Sequence, residues 1–113
     1  MEIFHIATES DWARAQQSGA YTTSTRGRTL EDEGFLHAGR RDQVAGVFNR
    51  YYADADEPLV LLTIDTELLG VPVLEEEVPG GETFPHVYGA IPPSAVVDVV
   101  ALGQSRPKRP DNR

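Results

Sequence analysis

A chain of 113 residues and 12.4 kDa has room for one domain with a modest core. Its 40% hydrophobic and 25% charged composition excludes wholesale disorder, and the absence of cysteine excludes disulfides, thiolate chemistry and cysteine-based zinc sites. The net charge of −8 is uneven: residues 104–113 sum to +3, which leaves −11 on the rest and argues against nucleic acid as a partner.

The expected organisation is a single globular domain over residues 1–103 and a basic, proline-containing tail over 104–113, read as a frayed terminus. The N-terminus lacks a basic segment followed by a long apolar one, so no signal peptide is expected. No apolar run approaches the roughly 18 residues of a membrane span. A soluble, cytoplasmic protein is the expectation.

Residues 3–6 read as a first strand. "TESDWARAQQSG" reads as a helix, with Thr8 and Asp11 spaced like a capping box and Gly19 as its stop. Residues 21–25 are β-branched and aromatic, a strand or extended loop, and "RGRTLEDEG" reads as a polar connection. Residues 35–38 are strand-like. Residues 41–53 form the best helical pattern, with Val44, Val47, Phe48 and Tyr51 on one stripe.

The run "PLVLLTID", residues 58–65, has the pattern of a strand buried on both faces. "VPVLEEEV" reads as a strand with an acidic second half, and "PGGE" as a turn. "TFPHVYGAIP" is extended, and "SAVVDVVAL" closes the chain's pattern as a strand. Two early helices and mostly late strands predict an α+β fold rather than a βαβ repeat.

Each of the three histidines lies inside an apolar or aromatic run: His5 in "FHI", His37 in "LHA" and His86 in "PHV". Strand alternation puts His5 with Ile3, His37 with Phe35, and His86 with Phe84 and Tyr88. Imidazole titrates near neutrality and serves as donor, acceptor or ligand, and aromatic neighbours offer a wall for a flat ring. Three readings stay open: core histidines satisfied by backbone groups, a metal set, or the lining of a ligand cleft. No His-x-x-x-His spacing supports the metal, and none is assigned.

A Gly-x-Ser-x-Gly elbow and a P-loop are both absent. Arg26, Arg28, Arg40 and Arg41 are four of the six basic residues outside the tail. They read either as an anion pocket beside His37 or as partners for Glu31, Asp32, Glu33 and Asp42. Period two separates Glu76 from Glu75 and Glu77, so one face of that strand has a route into a cleft.

Taken together, "FHIA", Trp12, "EGFLHAG", "LVLLTID", "EEEVPGGETFPHVYG" and "AVVDVVAL" resemble the small bacterial family called domain of unknown function 952, across residues 3–102. Members of that family look similar in fold to the ADP-ribosyltransferase superfamily, in which two small sheets form a cleft that binds NAD. The resemblance implies catalytic roles for His5, His37 and Glu76. It implies substrate-binding roles for Phe35, Phe84, His86 and Tyr88, with Arg40 or Arg41 meeting an anionic group. Where many relatives carry Cys or Ser followed by Ser or Thr, Ala38, Gly39, Arg40 and Arg41 stand here.

The expected ligand is therefore NAD, as a substrate, or an ADP-ribose-type nucleotide, with ribosyl transfer or hydrolysis as the reaction. A non-catalytic binding or interaction module on the same fold is the alternative.

Overall fold

The computed structural model describes residues 1–25 and 27–102. The basic tail and Arg26 lie outside the described residues. Among the described residues, eight strands form two three-stranded sheets and a two-stranded ribbon. β1 (Glu2–Thr8), β5 (Leu59–Asp65) and β8 (Val96–Ala101) make the first sheet, with β5 central and both pairings antiparallel. β4 (Leu36–His37), β7 (Thr83–Val87) and β6 (Val73–Glu77) make the second, also antiparallel, with β7 central. β2 (Thr23–Thr25) and β3 (Arg28–Thr29) form the ribbon. The α+β expectation is met.

The first strand is longer than expected because its alternation is useful on both faces. Ile3, His5 and Ala7 lie opposite Ile64, Leu62 and Val60 of β5. This face joins Leu36 of β4, Val87 of β7 and Trp12 of α1 (Glu9–Ser18) in the main core. The opposite face places Ile6 with Tyr52, Ala55 and Leu59 in a second cluster, which Val44, Val47, Phe48 and Leu61 cover. β5 is thus apolar on both sides, as its continuous run predicts. Leu62 is fully buried, and burial of such a side chain stabilises by about 2–3 kcal/mol. β8 is different: as an edge strand it leaves Val97, Val99 and Val100 exposed.

Local signals explain the helices. Thr8 caps α1 by accepting from the Asp11 N–H, and Gly19, at φ 89°, ends it. The stretch read as a polar connection instead holds β3 and a one-turn helix, α2 (Leu30–Glu33). Thr29 and Asp32 close a reciprocal capping box there, a signature present in the sequence that outweighs the polar composition. Gly34, at φ 88°, then turns the chain into β4.

The segment expected as one helix over 41–53 changes its winding twice. A 3-10 turn at Arg41–Gln43 leads into α3 (Val44–Val47) and then a π-helical turn at Phe48–Tyr52. The wider π turn advances the inward position by one residue. Tyr52, 4% exposed, therefore enters the second cluster, whereas Tyr51 of the expected stripe is 48% exposed.

Candidate functional site

The second sheet carries its chemistry on one face. His37 pairs with His86, Leu36 with Val87, and Glu76 with Phe84. Alternation then sets Phe35, His37, Phe84, His86, Tyr88 and Glu76 on the same side, while Leu36 and Val87 enter the core. The rings meet directly. Phe35 stacks on His86 with centroids 4.1 Å apart and planes 16° from parallel. His37 meets His86 edge-on at 5.0 Å and Phe35 at 4.9 Å, and Phe35 lies 5.4 Å from Tyr88.

Two carboxylates hold this cluster. His86 Nδ1–H donates to Glu76 Oε1 at 2.7 Å, and the Tyr88 hydroxyl donates to the same oxygen at 2.5 Å. These two donors hold the Glu76 carboxyl below its ordinary range, the Tyr88 bond contributing most. The same bond raises the Tyr88 phenol, because ionisation would place two negative charges together. His37 Nε2–H reaches Glu33 Oε1 at 3.4 Å. Burial and the neighbouring His86 lower the His37 pKa against the opposing pull of Glu33. His86 Nε2 is buried with no hydrogen-bond partner among the described residues.

His5 approaches from the first sheet and is 5% exposed. Its Nδ1–H donates to the main-chain oxygen of His37, so the neutral ring accepts at Nε2 from the Tyr21 hydroxyl, 3.0 Å away. Burial lowers the pKa of His5 to about 4, with the bond to the His37 carbonyl partly opposing it. Burial likewise pushes the Tyr21 phenol up. His5 and His37 thus meet through a backbone oxygen, and His37 and His86 meet ring to ring.

A cleft of about 390 Å³ opens between the two sheets and the helical segment. Phe4 and Ile6 of β1, His37 of β4, Phe84 of β7 and Tyr52 line it, together with the edge of His5. Gln43, 5% exposed, also lines it. Its amide donates to Glu82 Oε2 and the Thr83 carbonyl, both at 2.9 Å, and its oxygen accepts from the Arg40 N–H at 2.9 Å. Glu33, Asp42 and Glu82 make the polar lining acidic, with Arg50 as a cation.

The other expected residues do not line this cleft. His86, Glu76, Tyr88 and Phe35 form the cluster behind His37. Arg40 binds Glu75 at 2.7 Å, and Arg41 lies over the Phe4 ring at 4.7 Å. Arg28 pairs with Glu33 at 3.0 Å. Among the described residues, no group of three or more metal-ligating side chains converges.

Sequence reading overlooked Tyr21, Ser24, Gln43 and Glu82, and took Glu33 and Asp42 only as partners for the arginines. Tyr21, Ser24 and Gln43 come from segments read only as strand, loop or helix. Their roles depend on contacts 11 to 40 residues away in the chain.

These features define an α+β protein with a histidine-lined cleft between two small antiparallel sheets. The chain belongs to the family described as protein of unknown function (DUF952), whose model matches residues 6–99. Solved structures of protein CC0527 from Caulobacter crescentus share the fold. A crystal structure is 27% identical, with a TM-score of 0.77 over 91% of this chain and 87% of that one. The solution structure of the same protein is 26% identical, with a TM-score of 0.70 over 89% and 84%. The comparison with curated proteins finds no match. Among the described residues no helix is long and apolar enough to cross a membrane.

Proposed function

We propose that the cleft binds NAD or an ADP-ribose-type nucleotide, and that ribosyl transfer or hydrolysis is the chemistry it serves. The observation that carries this reading is that half-exposed His37 and Phe84 of the second sheet line one cleft of about 390 Å³ together with Phe4 of the first sheet and Tyr52 of the helical segment. That volume lies in the range of small-ligand pockets, and the walls are largely apolar and aromatic. A planar ring fits between such walls, and His37 is positioned to orient a ribose hydroxyl.

The acidic lining sets the polarity of the fit. The cationic nicotinamide ring and its ribose would enter, leaving as neutral nicotinamide when the bond breaks, while the phosphates would stay at the mouth near Arg50 and Arg41. A carboxylate on the cleft, Glu33 first, would stabilise positive charge building on the ribose as its bond to the ring breaks. Glu76 would act through His86, which it orients. The likeness to ADP-ribosyltransferases belongs to this proposal, as does its cytoplasmic setting.

A second reading, a non-catalytic binding module, is favoured by one observation. Glu76, the carboxylate expected for catalysis, already accepts from both His86 and Tyr88.

The test follows the three imidazoles by NMR while NAD or ADP-ribose is added, with nicotinamide release measured in the same sample. The nucleotide reading expects His37 to shift first and His37→Ala to abolish saturable binding. Nicotinamide release selects the enzyme over the module. Imidazoles that ignore both ligands refute the nucleotide reading.

A further inference from the structure

β4 is two residues long and, among the described residues, pairs only with β7, at Leu36 and His37. So short a ladder gives weak control over a side chain that must hold a fixed direction. Yet both main-chain groups of His37 are taken by buried side chains from elsewhere. Its N–H donates to Ser24 Oγ at 3.2 Å, and its carbonyl accepts from His5 Nδ1. Ser24, 1% exposed, also donates to the Phe35 carbonyl at 2.9 Å, so one hydroxyl bridges both sides of Leu36. Tyr21, 1% exposed, donates to the far nitrogen of His5 and thereby fixes which nitrogen of His5 keeps its proton.

We propose that His5, Tyr21 and Ser24 form a clamp on the His37 main chain, and that His5 is a positioning residue rather than a group that touches ligand. Both nitrogens of His5 are engaged within the protein, so neither is available to a ribose hydroxyl. The clamp ties the first sheet to the second at the one residue through which His37 faces the cleft. Neighbouring bonds, from Ala38 N–H to the Pro85 carbonyl at 3.0 Å and between Phe4 and Gly39 at 2.8 Å, hold the strand's continuation but leave the His37 peptide groups to the clamp. The role assigned to His37 rests on the nucleotide reading; the clamp itself does not.

The experiment compares the full chain with His5→Leu, His5→Asn, Ser24→Ala and Tyr21→Phe. Two readouts are taken, the NMR titration of the His37 imidazole and the affinity for ADP-ribose. The groups facing His37 are Glu33, His86, His5 and the Phe35 ring; His5 is altered in two of the variants, whereas Ser24→Ala and Tyr21→Phe leave all four in place. His5→Leu keeps an apolar side chain but loses both bonds, whereas His5→Asn can restore a donor where Nδ1 stood.

The clamp expects His5→Leu and Ser24→Ala to move the His37 titration toward its ordinary value by about half a pH unit or more. It expects ADP-ribose affinity to fall about five- to tenfold in both, with His5→Asn recovering most of each change. Tyr21→Phe should give a smaller shift of the same sign. A folded His5→Leu or Ser24→Ala protein whose His37 titrates as in the parent overturns the clamp. If His5→Leu does not fold, Ser24→Ala and Tyr21→Phe decide the matter by the same titration. A parent that ignores ADP-ribose while the His37 titration responds to these substitutions refutes the nucleotide reading and leaves the clamp supported.

Discussion

Acidification should destabilise this protein through His5, in a pH window that carboxylates do not share. The perturbation is a drop from about pH 7.5 to about pH 4.5, compared between the parent and His5→Asn. His5 titrates at about 4 in the folded state against an ordinary 6.5, because burial penalises its charged form. Between those values the unfolded chain binds the proton and the folded chain does not. The stabilisation from a neutral His5 is therefore complete above pH 6.5 and is lost as pH falls toward 4.

Integrated over the stated drop, the loss is about 2–3 kcal/mol, a large share of the roughly 5–15 kcal/mol that holds a domain together. His37 works in the same direction, and Asp32 and Glu76, whose carboxyls are lowered, lose their contribution below the ordinary carboxylate range. These contributions stay in both proteins. Urea unfolding followed by the fluorescence of Trp12, the single tryptophan and 8% exposed, measures the difference. His5→Asn starts less stable at neutral pH but should lose about 2–3 kcal/mol less on acidification. Equal losses in the two proteins would refute the argument from burial.

Replacing Glu76 by Gln should bring the Tyr88 phenol down toward its ordinary pKa, since the carboxylate raises it; ultraviolet difference titration of parent against variant reads the change. An unmoved tyrosine titration would contradict the bond. Two glycines should respond oppositely to alanine. At Gly89 an added Cβ would lie 2.6 Å from Val71 Cγ1 and 2.9 Å from Val71 Cβ, so Gly89→Ala should cost about 1–3 kcal/mol in urea unfolding. Gly46 lies in α3 with open space around the built Cβ, so Gly46→Ala should stabilise by about 0.5–1 kcal/mol, and a loss there would count against the helical assignment.

Much of this protein is legible in local pattern. Alternation around Phe35, His37, Phe84, His86 and Tyr88 is enough to put them on one side of their strands, and it separates Glu76 from Glu75 and Glu77. The continuous run at β5 announces two-sided burial, and the family follows from motifs spread over nearly the whole chain. These features are readable because strand periodicity is a property of the backbone alone. The capping box at Thr29 and Asp32 was equally local, but polar composition concealed it.

What only the tertiary structure decided is who partners whom. His5 lies in an apolar run that marks it as a ligand-binding candidate, yet packing against β4 gives both its nitrogens to His37 and Tyr21. Arg40 and Arg41 suggest an anion pocket, yet folding brings Glu75 and the Phe4 ring to them. Tyr51 and Tyr52 are adjacent, and a π turn selects the second for burial. Hydrogen bonds and ion pairs are satisfied in space, between groups separated by 16 to 40 residues here. One-dimensional pattern determines which face a side chain occupies; the closing of the two sheets on each other determines what it meets there.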